Sequence, residues 1–245
     1  RPEMHANMRS SIACLKSTEK IISLAKKTNG RLHVFHLSTK EEAKLFDNHN
    51  DLKNKKITSE VCIHHLSFND ADYKTKGNFI KWNPSIKTIE DQNALWDALR
   101  SDKIDVIATD HAPHTFNEKN QLYVDCPSGG PLVQHSLYIM YEHFLEKRIS
   151  LEKIVEKMCH NPAILFNIKK RGFIREGFFA DLVILRKNQS WVINKNNILY
   201  KCGWSPFEGK KINSMITHTF VSGNLAYENG VFNQTIMGKK IEFIS

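Results

Sequence analysis

Apolar positions along the first part of the chain switch repeatedly between a helical and a strand period. At residues 10–28, Ile12, Leu15, Ile22 and Ala25 fall near one helical face, and Asn29-Gly30 stops the run. Residues 31–37 (RLHVFHL) then read as a strand ending at Ser38-Thr39, and residues 40–49 as a second helix. A second strand is predicted over 56–63, ending in His64-His65, and a short extended piece over 78–82 before Asn83-Pro84. Thr88 has the position of an N-cap, with Asp91 three residues on and Leu95 and Leu99 behind it. That helix leads to an apolar run at 104–108, the length of one buried strand. Strand, helix, strand, helix, strand is a βαβ rhythm, which predicts a parallel sheet with helices outside it.

A loop containing Pro127, Ser128, Gly129, Gly130 and Pro131 follows, then two helices predicted at 132–147 and 150–159. From Gly172 the helical period is gone. Short β-like runs at 181–185, 190–193 and 215–221 are separated by turns such as Ser222-Gly223-Asn224 and Glu228-Asn229-Gly230. The division expected is therefore residues 1–170 as α/β barrel and 171–245 as a β appendage. No internal repeat stands out.

Composition narrows the class. Forty-one per cent of the 245 residues are hydrophobic, and no apolar run approaches the roughly 20 residues of a membrane span. The opening residues RPEMHANMRSS lack the apolar stretch of a signal peptide, and a chain that starts at Arg1 is expected to have further sequence upstream. The net charge of +9 raises the question of nucleic acid. The lysines, however, are scattered and often flanked by asparagine, with no basic helix interleaved with aromatics, so a solvated surface or attraction of an anionic substrate fits better. Five cysteines, with no CxxC pair, argue against a disulfide framework or a zinc ribbon and for free thiols in a reducing cytoplasm.

The candidate chemistry sits at the strand ends. His36 closes the first predicted strand, His64-His65 the second, and Asp110 follows the third in the stretch DVIATDHAPHT. In a parallel barrel all strand C-terminal ends share one face, so these side chains can converge. Imidazoles with a carboxylate are a ligand set that zinc accepts, and a bound zinc brings the pKa of water near 7. Singly, each residue has a plainer reading: His36 as a satisfied polar residue, Asp110 as a cap, His33 in the core or against a helix. If the second strand ran on, His64 and His65 would point to opposite sides.

Six ordered motifs carry a resemblance to a known family. ATDHAPH (108–114), HVFHLSTKEEA (33–43), SEVCIHHLSF (59–68), KWNPSIKTIEDQNALWDAL (81–99), HNPAILFNI with GFIREGFFADLVIL, and WSPFEGKKINSMITHTFVSGNLAYENG are similar to segments of dihydroorotases, members of the cyclic amidohydrolase superfamily. The resemblance implies a partial TIM-like (β/α) barrel of the metal-dependent amidohydrolase type with a small β-sandwich subdomain. It implies zinc, two ions per complete active site, and hydrolysis of the cyclic amide of dihydroorotate in pyrimidine biosynthesis. His36 matches a metal-ligand histidine, and Asp110 the aspartate that binds metal and shuttles the proton. Asn83, His114 and the loop residues Pro127, Ser128 and Gly129 match positions that contact the substrate. Glu60 matches a position that binds an additional zinc in relatives with Cys where this chain has Phe35, so a third metal is not expected. The family's HxH pair, its substrate arginine, its bridging ligand and the histidine of the preceding strand are not among these residues. The chain thus resembles the C-terminal half to two-thirds of a dihydroorotase, expected to be inactive alone. The resemblance calls for a small-molecule substrate, no nucleic acid and no membrane, and admits a homodimer. The alternatives are another cyclic amidohydrolase (hydantoinase or allantoinase) and a catalytically silent homologue with a structural role.

Overall fold

The structure is a computed structural model and describes every residue except 49, 50, 237 and 245. Helix Ser11–Thr28 forms as its pattern predicts. Ser10 Oγ accepts the Ala13 amide at the N-terminus, and Asn29 closes the other end in the left-handed region (φ 55°). The three expected strands are β1 (Leu32–Val34), β2 (Ile57–Cys62) and β3 (Val106–Ala108). They are parallel and lie in the order β1-β2-β3.

Helix Ile89–Arg100 crosses between β2 and β3. Thr88 caps it, its hydroxyl accepting the Asp91 amide at 3.2 Å. Its buried face carries Leu95, Trp96 and Leu99, and the Trp96 indole donates to the Leu66 carbonyl at 3.0 Å. β2 and β3 are locked at their lower ends by Asp105. One carboxylate oxygen takes the Lys55 ammonium at 2.7 Å, the other the Ser59 amide at 3.0 Å, and the Asp105 amide returns to the Ser59 carbonyl. Both charged side chains are buried.

Several elements differ from the sequence pattern for identifiable reasons. Residues 78–82 are not extended. Gly77, at positive φ, opens a 3-10 turn over Gly77–Ile80, which the Asn78 carbonyl closes on the Lys81 amide. The helix expected over 40–49 is a single turn, Lys40–Ala43, and position 49 lies outside the described residues. The region 132–147 is a turn, Val133–His135, leading into helix Ser136–Leu145. The one after it passes from Leu151–Val155 through a wider π turn, Glu156–His160, into Asn161–Leu165.

The appendage is a four-stranded antiparallel sheet of β4 (Leu182–Val192), β5 (Lys211–Val221), β6 (Asn224–Glu228) and β7 (Val231–Phe232). The two runs predicted at 181–185 and 190–193 are one strand, broken in register between Lys187 and Trp191, where Asn188 adopts positive φ. β5 docks on helix Ser136–Leu145. The Tyr138 hydroxyl accepts the Ile216 amide at 3.0 Å, and the Glu142 carboxylate accepts both the Asn213 amide and its side chain. Leu66, Trp82, Leu99, Ile139, Phe207 and Ile212 belong to one continuous apolar core, so the appendage shares the interior of the α/β part. No helix among the described residues is long and apolar enough to cross a membrane.

Removing one partner of a buried ion pair leaves the other charge uncompensated, at a typical cost of about 3–5 kcal/mol. Lys55→Met should therefore destabilise the fold by about that amount. The double substitution Lys55→Met with Asp105→Leu should recover part of it in urea denaturation.

Candidate active site

Each parallel strand delivers its polar residues just past its C-terminal end. His36 lies two residues beyond β1 and Asp110 two beyond β3, and both are in the left-handed region, at φ 41° and 46°. Such a backbone costs of order 1 kcal/mol or more for residues with a Cβ, and Asp and His are among those that tolerate it best. The same left-handed turn thus recurs at two strand exits, where the chain leaves the sheet. Neither the His36 imidazole nor the Asp110 carboxylate has a hydrogen bond or ion pair among the described residues. His64 and His65 lie in the helical turn Ile63–Ser67, which begins directly after β2. Because the strand stops at Cys62, the two histidines do not diverge as they would on a continuing strand. Both are buried, their rings 4.2 Å apart.

Electrostatics ties the three exits together. Burial holds His64 well below the usual imidazole range, with His65 and then His36 adding to the effect. Burial likewise lowers His65 to about 3, helped by Lys87 and His36. Burial pushes the Cys62 thiol up, and the negative charges of Glu60 and Asp110 push it further. His36 thus acts on the histidines after β2, and Asp110 on the cysteine that ends it. One imidazole and one carboxylate, unpaired and beside one another's neighbours, fit the donor chemistry of zinc.

The residues matched to substrate contacts gather around Lys81 and Trp82. Trp82 stacks on His64 (4.4 Å, 10°), and the Pro84 carbonyl lies 3.3 Å from His65 Nε2, so the exposed Asn83 lies between two residues that touch the helical turn. His114 Nε2 is 3.1 Å from the Ser128 carbonyl, and the Trp204 indole donates to the His114 carbonyl. Gly129 donates its amide to the Lys81 carbonyl at 2.9 Å and has φ 130°. A Cβ there would lie 2.6 Å from the Ala112 carbonyl oxygen, so only glycine lets the loop of Pro127, Ser128 and Gly129 wedge against the segment carrying His114.

Two lysines that sequence reasoning passed over hold this loop. Lys119, fully buried, donates to the Pro127 carbonyl at 2.9 Å and the Lys81 carbonyl at 3.3 Å. Lys81 donates to the carbonyls of Tyr123 and Cys126. Nothing in the sequence marks either lysine, since a lysine is normally exposed and only the tertiary wrapping buries these. Cys62 was legible in principle: it alternates with Glu60 on β2 and therefore shares its face. His33 is partly buried, its ring edge-on to Phe166 at the end of helix Asn161–Leu165 (5.4 Å), and it also has polar partners. It bonds Thr58 Oγ1 at 2.8 Å and pairs with the Glu60 carboxylate at 3.1 Å, which engages the position matched to an additional zinc.

A parallel βα sheet whose strand exits carry an imidazole and a carboxylate, joined to an antiparallel appendage, is the architecture of a metal-dependent amidohydrolase. Residues 3–226 match the model of the amidohydrolase family, and the chain belongs to that family. Among its relatives are the dihydroorotase of Endomicrobium trichonymphae, 35% identical over 208 residues, and that of Pyrococcus furiosus, 32% identical over 220. These alignments take in 84% and 90% of this chain but 49% and 50% of those proteins, so the chain spans about half the length of the curated relatives it matches. Among solved structures it resembles a D-hydantoinase from Bacillus sp. AR9 (TM-score 0.84, 23% identity, 95% of this chain and 53% of that one). It also resembles the L-hydantoinase of Arthrobacter aurescens (TM-score 0.80, 26% identity, 89% and 49%).

Burial lowers the Lys119 ammonium to about 8, with Lys81 adding to the effect and Cys126 opposing it. Below pH 8 the lysine is charged in both folded and unfolded chains. Between about 8 and 10.5 the folded protein releases the proton while the unfolded chain keeps it, so stability rises with pH. Measured by denaturation, wild type should gain up to about 3 kcal/mol relative to Lys119→Met across that window.

Proposed function

We propose that the protein carrying this chain is a zinc-dependent dihydroorotase, hydrolysing the cyclic amide of dihydroorotate reversibly to N-carbamoyl-L-aspartate in cytoplasmic pyrimidine biosynthesis. The observation that carries this reading is that His36 and Asp110, at two separate strand exits, each act electrostatically on the same Cys62–His65 segment at the end of β2. The 32–36% identity to dihydroorotases supports the choice of substrate. In this reading residues 1–170 are the barrel portion and 171–245 the appendage.

His36 and Asp110 would hold zinc together with donors from outside these residues, in a complete site of two ions. When bound there, zinc would supply Lewis acidity and bring the pKa of water near 7. Asp110 takes the proton of the attacking water and returns it to the departing ring nitrogen, which keeps the leaving group neutral. Asn83 and His114 bind the anionic ring. The backbone of Pro127, Ser128 and Gly129, braced by Lys119 and Lys81, limits the ring's rotation. Orientation of this kind contributes up to roughly 7–11 kcal/mol in favourable model reactions.

A second reading, hydantoinase chemistry, is supported by the resemblance to the solved hydantoinases. The intact protein, assayed on dihydroorotate and on hydantoin, separates the two: ring opening of hydantoin alone would reassign the substrate. Asp110→Asn in the intact protein should lower kcat for dihydroorotate by about 10²–10⁴ while leaving far-ultraviolet circular dichroism unchanged. Full activity in that variant would remove Asp110 from the mechanism.

A further inference from the structure

β2 runs into a Cys-Ile-His-His sequence that the proposed reaction does not use. Cys62 is the last residue of the strand, and His64 and His65 occupy the turn after it. The Cys62 sulfur and one ring nitrogen from each histidine all lie within 4.8 Å of one another. The three residues are 0, 0 and 2% exposed. Among the described residues, neither nitrogen of His64 has a hydrogen-bond partner, nor does Nδ1 of His65. Only His65 Nε2 is engaged, with the Pro84 carbonyl.

A neutral imidazole always presents one donor and one acceptor nitrogen, and a buried polar group without a partner costs about 1–3 kcal/mol. Three orphaned nitrogens beside a buried thiol are therefore expensive unless something occupies the space between them. The stacking of His64 on Trp82 keeps its ring from turning toward another partner. An oxygen-seeking cation such as magnesium or calcium finds no oxygen donor in this set. One sulfur and two imidazole nitrogens suit zinc and softer transition metals, with a fourth tetrahedral position left for water.

We propose that Cys62, His64 and His65 form a thiolate–imidazole site for a transition-metal cation of the zinc type, separate from the His36 and Asp110 centre. Binding replaces the thiol proton: the S–H bond breaks, the sulfur lone pair goes to the metal, and one proton leaves to solvent. The site adjoins the reaction centre, since the charge of His36 reaches both histidines and that of Asp110 reaches the cysteine.

The test loads the intact, chelator-stripped protein with cobalt(II) and reads its absorption. A sulfur-to-cobalt charge-transfer band in the near ultraviolet is expected in wild type and absent in Cys62→Ser. His64→Asn and His65→Asn should weaken cobalt binding at least tenfold at this site. A centre of nitrogen and oxygen donors at His36 and Asp110 gives only visible ligand-field bands, so the two readings fail separately. A wild-type spectrum without the near-ultraviolet band, as a water-filled cavity would give, overturns the site. A band that persists in Cys62→Ser overturns it too, because it assigns the sulfur to another cysteine. If a variant does not fold, X-ray absorption of the zinc-loaded wild type decides. A sulfur shell at about 2.3 Å supports the site, and a shell of nitrogen and oxygen alone refutes it.

Discussion

The carboxylate of Asp105 is the joint on which the candidate site depends. It grips Lys55 and the Ser59 backbone at the foot of β2, which fixes β3 in register beside it. From that anchor the chain runs through Val106–Ala108 and emerges at Asp110, next to the end of β2. A slip of one residue would turn Asp110 away from Cys62 and exchange the two faces of β3. Burial raises the pKa of Asp105 even with Lys55 opposing it, so the pair is better understood as a register device than as a source of net stability.

The loop matched to substrate contacts is organised by backbone carbonyls gathered on two ammonium groups. Lys119 and Lys81 between them tie Lys81, Tyr123, Cys126 and Pro127 carbonyls into one knot, and Gly129 closes it by donating back to Lys81. The knot needs no carboxylate, which leaves positive charge beneath a loop read as facing an anion. It also connects the loop to Trp82, and through Trp82 to His64.

Much of this was legible in the residues. The cap at Thr88, the stop at Asn29-Gly30 and the βαβ rhythm follow from local chemistry that needs no tertiary context. The strand exits at His36 and Asp110 were legible as well, because an apolar run that ends abruptly in ligand-type residues is unusual. What the pattern did not reveal depended on distant partners. Residues 78–82 look extended by alternation, but Gly77 and the Asn78 side chain, which reaches the Gln121 carbonyl, fold them into a turn. His33 has no local signal for its pairing with Glu60, which arises only when β1 lies against β2. The burial of Lys81 and Lys119 is likewise a property of the assembled loop.

The left-handed backbone at His36 and Asp110 has a consequence for how this sequence tolerates change. Glycine or asparagine would sit more comfortably at either position, so replacements that delete the chemistry should firm up the scaffold. On the proposed reading of the site, a search for thermally hardened variants would drift toward these two places and return inert proteins. On that reading, backbone tension and reactivity occupy the same two residues, and neither can be tuned without the other.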